Sequence, residues 1–406
     1  QGSIGGNVEN TFTGGEISGL VHGGSQKAGA TIKGAIKNKI NGATFTAAWF
    51  YGGNGCYTPA GGTADTGATF AENASLTYRI ENEINGGSFV RYCGGSEKSA
   101  TDKIIKNTIT GNETKFSTAF YCGTNSAPVN KTENHFEAKM AGYPSGGSNS
   151  GTVGEVVNYI KAGADLEGMY AAANGGSAAL VKNIISGGKV GTFYGGSRIG
   201  TLSGSIENTV KEGAVVTTYY GGAKGAAITG SVKNFIQGGQ IGTYFGGGET
   251  ANIASVHNVL QNGTLPANFT EGSKAGEVTT ITLDLELGKG TPVVMGEVTF
   301  DTLSGEGTLQ VGKDALVTIS GKASGKVTVE QIEAWQEKTY FTAEGTDLTI
   351  FISDKVDGTA MVVGNSVIGD LRNVTLVSPV AARLVLDTRV GVKFYFEKME
   401  VAEDAP

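Results

Sequence analysis

Ile206-Glu207-Asn208-Thr209-Val210, with Tyr219-Tyr220-Gly221-Gly222 closing the same stretch, is the segment whose reading decides the fold. Its first part is an apolar-x-Asn-x-apolar phrase. The phrase occurs ten times, with its amide at Asn10, Asn38, Asn82, Asn107, Asn134, Asn158, Asn183, Asn208, Asn234 and Asn258. Successive gaps are 28, 44, 25, 27, 24, 25, 25, 26 and 24 residues, and the single long one marks an insertion around Asn54 to Ser75. A period of this size is the signature of a stacked repeat array.

Working outward from the Asn, a turn position follows four residues on, occupied by Gly14, Gly42, Gly86, Gly111, Gly187 and Gly238 in six copies. Glycine there points to a backbone angle closed to other residues. The second phrase ends in Gly-Gly after aromatic residues: Phe50-Tyr51-Gly52-Gly53, Phe193-Tyr194-Gly195-Gly196 and Tyr244-Phe245-Gly246-Gly247, with Tyr92-Cys93-Gly94-Gly95 and Tyr121-Cys122-Gly123 as variants. Each unit therefore holds two or three strand-length pieces of period 2 between glycine corners, too short to include a helix. Coils of strands stacked at about 4.8 Å pair each strand with its copies above and below. The fold expected is all-β: a single-stranded parallel β-helix of about ten coils of about 25 residues, followed by further β coils or a small β domain.

In Val232-Lys233-Asn234-Phe235-Ile236 the Asn shares a face with two apolar residues and points inward. A buried amide must be satisfied, and identical Asn side chains stacked along the axis can donate each to the next. The ten Asn are thus expected to form a structural ladder.

The organisation expected is 1–272 for the Asn and Gly-Gly repeats, 273–330 for continuing solenoid coils, 331–378 for a C-terminal β segment and 379–406 for the start of a following β module or tail. Ile281-Thr282-Leu283-Asp284-Leu285-Glu286-Leu287 alternates as a strand does, and Val329 to Lys338 hints at a helix through Ile332 and Trp335. Leu384, Leu386, Val390, Val392, Phe394 and Phe396 share one parity, as in one or two half-buried strands. The segment 383–397 resembles the opening hairpin of modules that recur in large bacterial surface proteins. It implies a chain cut from a longer protein, and Gly2-Ser3-Ile4-Gly5-Gly6 entering mid-repeat agrees.

Glycine makes up 66 of 406 residues with only 7 prolines, which excludes collagen, and 39% hydrophobic content argues against disorder. A net charge of −7 with scattered Lys and Arg gives no footprint for nucleic acid. No apolar run reaches the roughly 18 residues of a membrane-spanning helix.

Residues 1 to about 330 resemble the parallel β-helix, pectin-lyase-like group in coil length, Asn ladder and glycine corners. The group includes polysaccharide-cleaving enzymes, phage tailspikes and bacterial adhesins, and the resemblance implies a right-handed coil. The Asn-Thr-Asp, Asp-Asp and Gly-His-Gly motifs of its hydrolases are missing here, and Glu9, Asp65, Asp102 and Asp165 stand singly. His22, His135 and His257 are too dispersed for a zinc site, and His257 is expected to point outward. No catalytic residue, metal site or cofactor is expected.

A binding surface has better support. Two adjacent aromatic columns cannot both face the core. The second (Tyr51, Cys93, Cys122, Tyr194, Tyr220, Phe245) is in phase with Val190, Val216 and Ile241 and is taken as the inner one. The first (Phe50, Tyr92, Tyr121, Phe193, Tyr219, Tyr244) is then expected outside as a ladder that stacks on sugar rings; the alternative is that the Gly-Gly-Ser excursions fold back over it. The insertion Asn54 to Ser75 and the loop Met140 to Thr152 are further candidate contact surfaces. Cys93 and Cys122 are expected at one position of neighbouring coils, with Cys56 as a competing partner and the disulfide left open.

The function expected is an extracellular, cell-surface structural or adhesin-like module, binding a glycan or host protein and joined to other modules of a larger surface protein. A carbohydrate-active β-helix enzyme and a passive spacer are the alternatives.

Overall fold

A computed structural model describes residues 2–26, 28–46, 49–56 and 67–312, and beyond these the strands Leu316–Lys322, Gly325–Gln331, Tyr340–Glu344, Leu348–Ile352, Val374–Val377, Ala382–Asp387 and Lys393–Lys398. The chain is an all-β parallel solenoid of about eleven coils, with no helix among the described residues. It divides into two compact units: Gln1–Asn234 with Gly239–Val256 and Thr270–Thr280, and Phe235–Gly238 with His257–Phe269 and Ile281–Pro406.

In the first unit each strand lies parallel between its counterparts one period away. Val153–Ile160 pairs with Val129–Phe136 on one side and Ala178–Ile185 on the other, in a register that sets Asn134, Asn158 and Asn183 in line. The alternation that makes these strands is visible in Ile36–Asn41, where Ile36, Asn38 and Ile40 are buried and their neighbours are not. The long gap leaves this register intact, since Asn38 still pairs with Asn82. Chain at the insertion's far end, Thr69–Phe70, joins Thr31–Ile32 and Ser3–Ile4 in a separate parallel sheet.

The Asn ladder forms, and it does more than join coils. From Asn10 to Asn208, each Nδ2 donates to the Oδ1 of the next ladder Asn at 2.7–2.9 Å. Each Nδ2, including that of Asn234, also donates to a carbonyl at its own coil's corner at 2.7–3.1 Å, a glycine carbonyl in seven copies and those of Cys122 and Ala171 in the coils of Asn107 and Asn158. Both amide hydrogens are used, so the two repeated phrases are partners. The corner stays small for the same reason: a Cβ on Gly195 would run into the Gly221 carbonyl and the Asn208 amide. Of the six turn glycines, Gly14, Gly42, Gly86, Gly111 and Gly238 have positive φ; in the remaining copy the positive angle, 71°, falls on Gly188 rather than Gly187.

Outside the ladder, the residue preceding each Asn alternates in charge. Glu9, Lys37, Glu81, Lys106 and Glu133 stand opposite one another in register, and after Val157 the row resumes with Lys182 and Glu207. Lys37 meets Glu81 at 3.4 Å. An exposed pair of this kind contributes about 0–1 kcal/mol, but a slip by one coil would set like charges about 4.8 Å apart and disfavour the wrong register.

In the second unit, Asn258 is buried and donates to Thr282 O at 3.5 Å. Its coils are tighter: Thr302 follows its partner Asp284 by 18 residues, where the ladder Asn of the first unit follow by about 25. Parallel pairing continues through Glu306–Val311, Gly325–Gln331, Leu348–Ile352 and Val374–Val377. Within the candidate helix, Val329, Glu330 and Gln331 belong to a strand instead, because parallel pairing with Leu309, Gln310 and Val311 claims them; Ile332 and Trp335 lie outside the described residues. Ala382–Asp387 and Lys393–Lys398 form an antiparallel hairpin.

Candidate functional site

The first aromatic column is inside, not outside. Phe50, Tyr92, Phe193, Tyr219 and Tyr244 are all at most 1% exposed. The expectation of an outer sugar-stacking ladder at these positions is therefore overturned. It extended strict alternation from Val190 to Tyr194, yet Val190 and Phe193 both face the core, three residues apart, with half-buried Gly191 and Thr192 between them. The coil bends there and the phase changes. Inside, Tyr92 and Tyr219 donate to Oδ1 of Asn107 and Asn234 at 2.9 and 2.8 Å, filling the second lone pair of those ladder amides. Burial pushes both phenols well above their ordinary range, so they remain donors.

Tyr121 needs its own correction. Phe89 pairs with Phe116 but Arg91 pairs with Ala119, so one extra residue bulges from the fourth coil. Phe120 takes the inner position opposite Tyr92, and Tyr121 stands opposite Cys93. The same shift separates the cysteines: Cys122 does not share a position with Cys93, whose thiol donates to Gly123 O at 3.1 Å. Cys56, Cys93 and Cys122 are buried thiols that form no disulfide with one another. Burial raises the Cys93 and Cys122 thiols above their usual range and keeps them protonated.

The second column lies on the opposite face of the strand. Tyr170, Tyr194, Tyr220 and Phe245 stack in order with ring centroids 5.3, 4.8 and 5.0 Å apart. Glycine-rich excursions roof part of this row: Tyr194 donates to Glu249 Oε2 at 2.8 Å, and Tyr194 and Tyr220 are only 5% and 4% exposed. Tyr121 and Tyr170 are half-buried and reach the surface.

Between those two rings the row is broken by Ser145, which bridges to Tyr121 on one side and Tyr170 on the other. A serine where a ring belongs leaves a gap of two rungs, about 9.6 Å. It opens as a cavity of about 280 Å³. Phe116, Tyr143 and Tyr170 supply rings, Asn174 and Arg198 supply polar groups, and Ser145 is in the lining. Tyr143 leans on Tyr170 with centroids 5.4 Å apart and lies over Gly168, where any Cβ would meet its ring. Thus the loop Met140 to Thr152 contributes to the site. The first insertion meets it nowhere in the described residues, and 57–66 lie outside them. Tyr143 and Ser145 fall inside the loop expected as a contact surface but are not singled out by sequence within it, and Arg198 is not expected in a binding site, although Tyr143-Pro144-Ser145-Gly146-Gly147 visibly departs from aromatic-aromatic-Gly-Gly.

Above the site the excursions carry a second amide ladder: Asn149 donates to Asn125 and Asn174 to Asn149, each at 2.9 Å. Arg198 Nη1 reaches Asn174 Oδ1 at 3.5 Å. On the other flank, Arg91 covers the Trp49 ring at 5.1 Å, and Trp49 lies 6.2 Å from Tyr121. Burial raises the Tyr121 hydroxyl, while Arg91 and Arg198 both pull against that rise.

The histidines lie apart from one another. His135 meets Glu133 at 3.0 Å, and His257, partly exposed as expected, is held by Asp284 at 2.6 Å. His22 is buried against Tyr51, and its Nε2 stands 3.8 Å from Glu97 Oε2. Burial alone would raise the Glu97 carboxyl, but His22 and hydrogen bonds from Cys56 outweigh it and hold the group at about 2. A depressed folded value contributes stability above the unfolded pKa of about 4.3, and the contribution is lost as pH falls through about 2. Glu97→Gln is therefore expected to lower the denaturation midpoint at neutral pH and to flatten its fall between these two values; equal acid slopes for both proteins would refute the assignment.

No protein-family model matches the chain, no curated protein is significantly similar to it, and no solved structure matches it.

Proposed function

We propose that the chain is an extracellular, adhesin-like β-helix module that binds glycans, and that the gap at Ser145 is where a sugar ring sits. One observation carries this reading: the row of aromatics lacks a ring at Cys93 and at Ser145, and only the second gap is a cavity among the described residues. Trp49 lies against both rings that flank Cys93, whereas the gap at Ser145 opens to solvent between the half-buried Tyr121 and Tyr170. A pyranose taking up the missing rung would have an aromatic face about 4.8 Å away on each side, the spacing at which this row already stacks. Phenol hydroxyls, the Asn174 amide and the Arg198 guanidinium are suited to orienting sugar hydroxyls. The paired carboxylates of glycoside hydrolysis are not among the lining residues, which favours recognition over cleavage.

Ser145→Tyr puts the missing ring in place. The variant is expected to keep or raise the Tm and to lose the glycan-array signals of the wild-type chain, while Tyr170→Ala weakens the same signals by about tenfold or more. An array without signals for the wild type would favour the spacer reading, and signals unchanged by Ser145→Tyr would move the site elsewhere.

A further inference from the structure

The slot has an electrostatic character that a neutral sugar would leave unused. Of the three arginines in the first unit, Arg79 is matched by Asp102 at 3.1 Å. The other two flank the slot, and among the described residues neither has a carboxylate within ion-pair distance. Arg198 is exposed on the rim, with one contact at the limit of hydrogen bonding. Arg91 is spread over Trp49 beside Tyr121, so its ring contact leaves the charge unneutralised. Among the described residues no Asp or Glu lines the slot, in a chain of net charge −7. Two uncompensated guanidiniums in an acidic protein constitute a local anion preference.

Size and walls restrict the ligand further. A volume of about 280 Å³ lies just below the roughly 300 Å³ at which small-molecule pockets start, and suits one ring with its substituents. Tyr121 and Tyr170 close the two ends along the coil axis. Residues 116–120 and 142–143 contribute on one side, and Asn174 with Arg198 on the other. A saccharide chain running along the axis would meet a ring at each end of the slot, whereas a chain-terminal ring can enter from solvent.

Building on the glycan reading above, we infer that the site selects a chain-terminal sugar bearing a carboxylate, with the ring in the Ser145 gap and the carboxylate on Arg198. Arg198 supplies paired N–H donors to the two oxygens, and Arg91 adds attraction from the Trp49 side. The carboxylate needs no new protein carboxylate to be displaced.

Titration calorimetry with the full chain tests this, using sialyllactose, lactose and lactose 3-sulfate as probes. Sialyllactose is expected to bind about tenfold or more tightly than lactose, with a preference that shrinks as salt is raised. Arg198→Gln is expected to bring the two within about twofold, because it weakens sialyllactose far more than lactose; Arg198 is on the surface, so the variant folds. Equal affinities in the wild type, or a preference that survives Arg198→Gln, would overturn the inference while the glycan reading stands. Lactose sulfate binding as tightly as sialyllactose would overturn the choice of carboxylate. Silence for all three would overturn the inference, and only silence across the wider array would remove the glycan reading as well.

Discussion

Asn158→Asp is expected to destabilise the first unit by about 3–5 kcal/mol, although the substitution changes one atom. Asn158 Oδ1 accepts from Asn134 at 2.8 Å, and its Nδ2 donates to Asn183 Oδ1 and to Ala171 O, both at 2.7 Å. A carboxylate keeps the acceptor and loses both donors. It then faces the Asn183 and Ala171 oxygens at hydrogen-bond distance, carrying a charge at a fully buried position. The native column is also polarised along one direction, each amide oriented by its neighbour, so a reversed rung disturbs more than its own bonds. The defect should depend on pH. Burial and acceptor neighbours raise the folded pKa of the new carboxyl above its unfolded value, so the penalty is largest at neutral pH and eases as pH falls below the folded value. Denaturant titrations of Asn158→Asp and wild type across pH would read this directly. A difference below 1 kcal/mol at neutral pH would mean that the ladder is dispensable.

Arg79→Met is expected to cost a comparable amount, about 3–5 kcal/mol. The side chain is completely buried. It donates to Asp102 at 3.1 Å and to the carbonyls of Lys33, Gly34 and Ala71 at 3.0, 3.3 and 3.1 Å, with the Phe70 ring 5.0 Å from its guanidinium carbon. It therefore ties the end of the insertion to two other segments. Methionine fills much of the volume but satisfies none of the three carbonyls. Asp102 is 45% exposed and can turn to water, so Asp102→Asn should cost less than about 1 kcal/mol. Midpoints at unchanged m-value decide the matter; equal losses from both substitutions would place the energy in the ion pair rather than in the carbonyl cage.

Several further features could be read from the chain before any coordinates. The charge alternation from Glu9 to Glu133 is plain once the Asn phrases are aligned, and so is the aromatic pair missing at Pro144-Ser145. Both follow from the period. The side of the aromatic columns could not be read the same way. Period-2 alternation assigns faces only while the strand stays straight, and the bend at Gly191 and Thr192 leaves no separate mark in residue type. The fourth coil adds a second difficulty: Phe116 to Tyr121 contains one residue more than Phe89 to Cys93. An alignment anchored on Tyr-Cys-Gly then pairs the wrong residues: it puts Tyr121 in the first column with Tyr92, where the structure has Phe120, and sets Cys122 against Cys93.

The ten asparagines, the period and the glycine corners by themselves determined that the chain coils, that its strands pair in parallel with their own copies, and that the amides stack inside. These are consequences of one-dimensional repetition, because a residue that recurs once per coil must lie on a line along the axis. Which ring faces the core, which arginine lacks a carboxylate and where a missing side chain opens a slot were decided only by the tertiary structure. Those properties depend on bends, on a one-residue bulge and on which excursion folds over which rung, and each arises between coils that are distant in sequence.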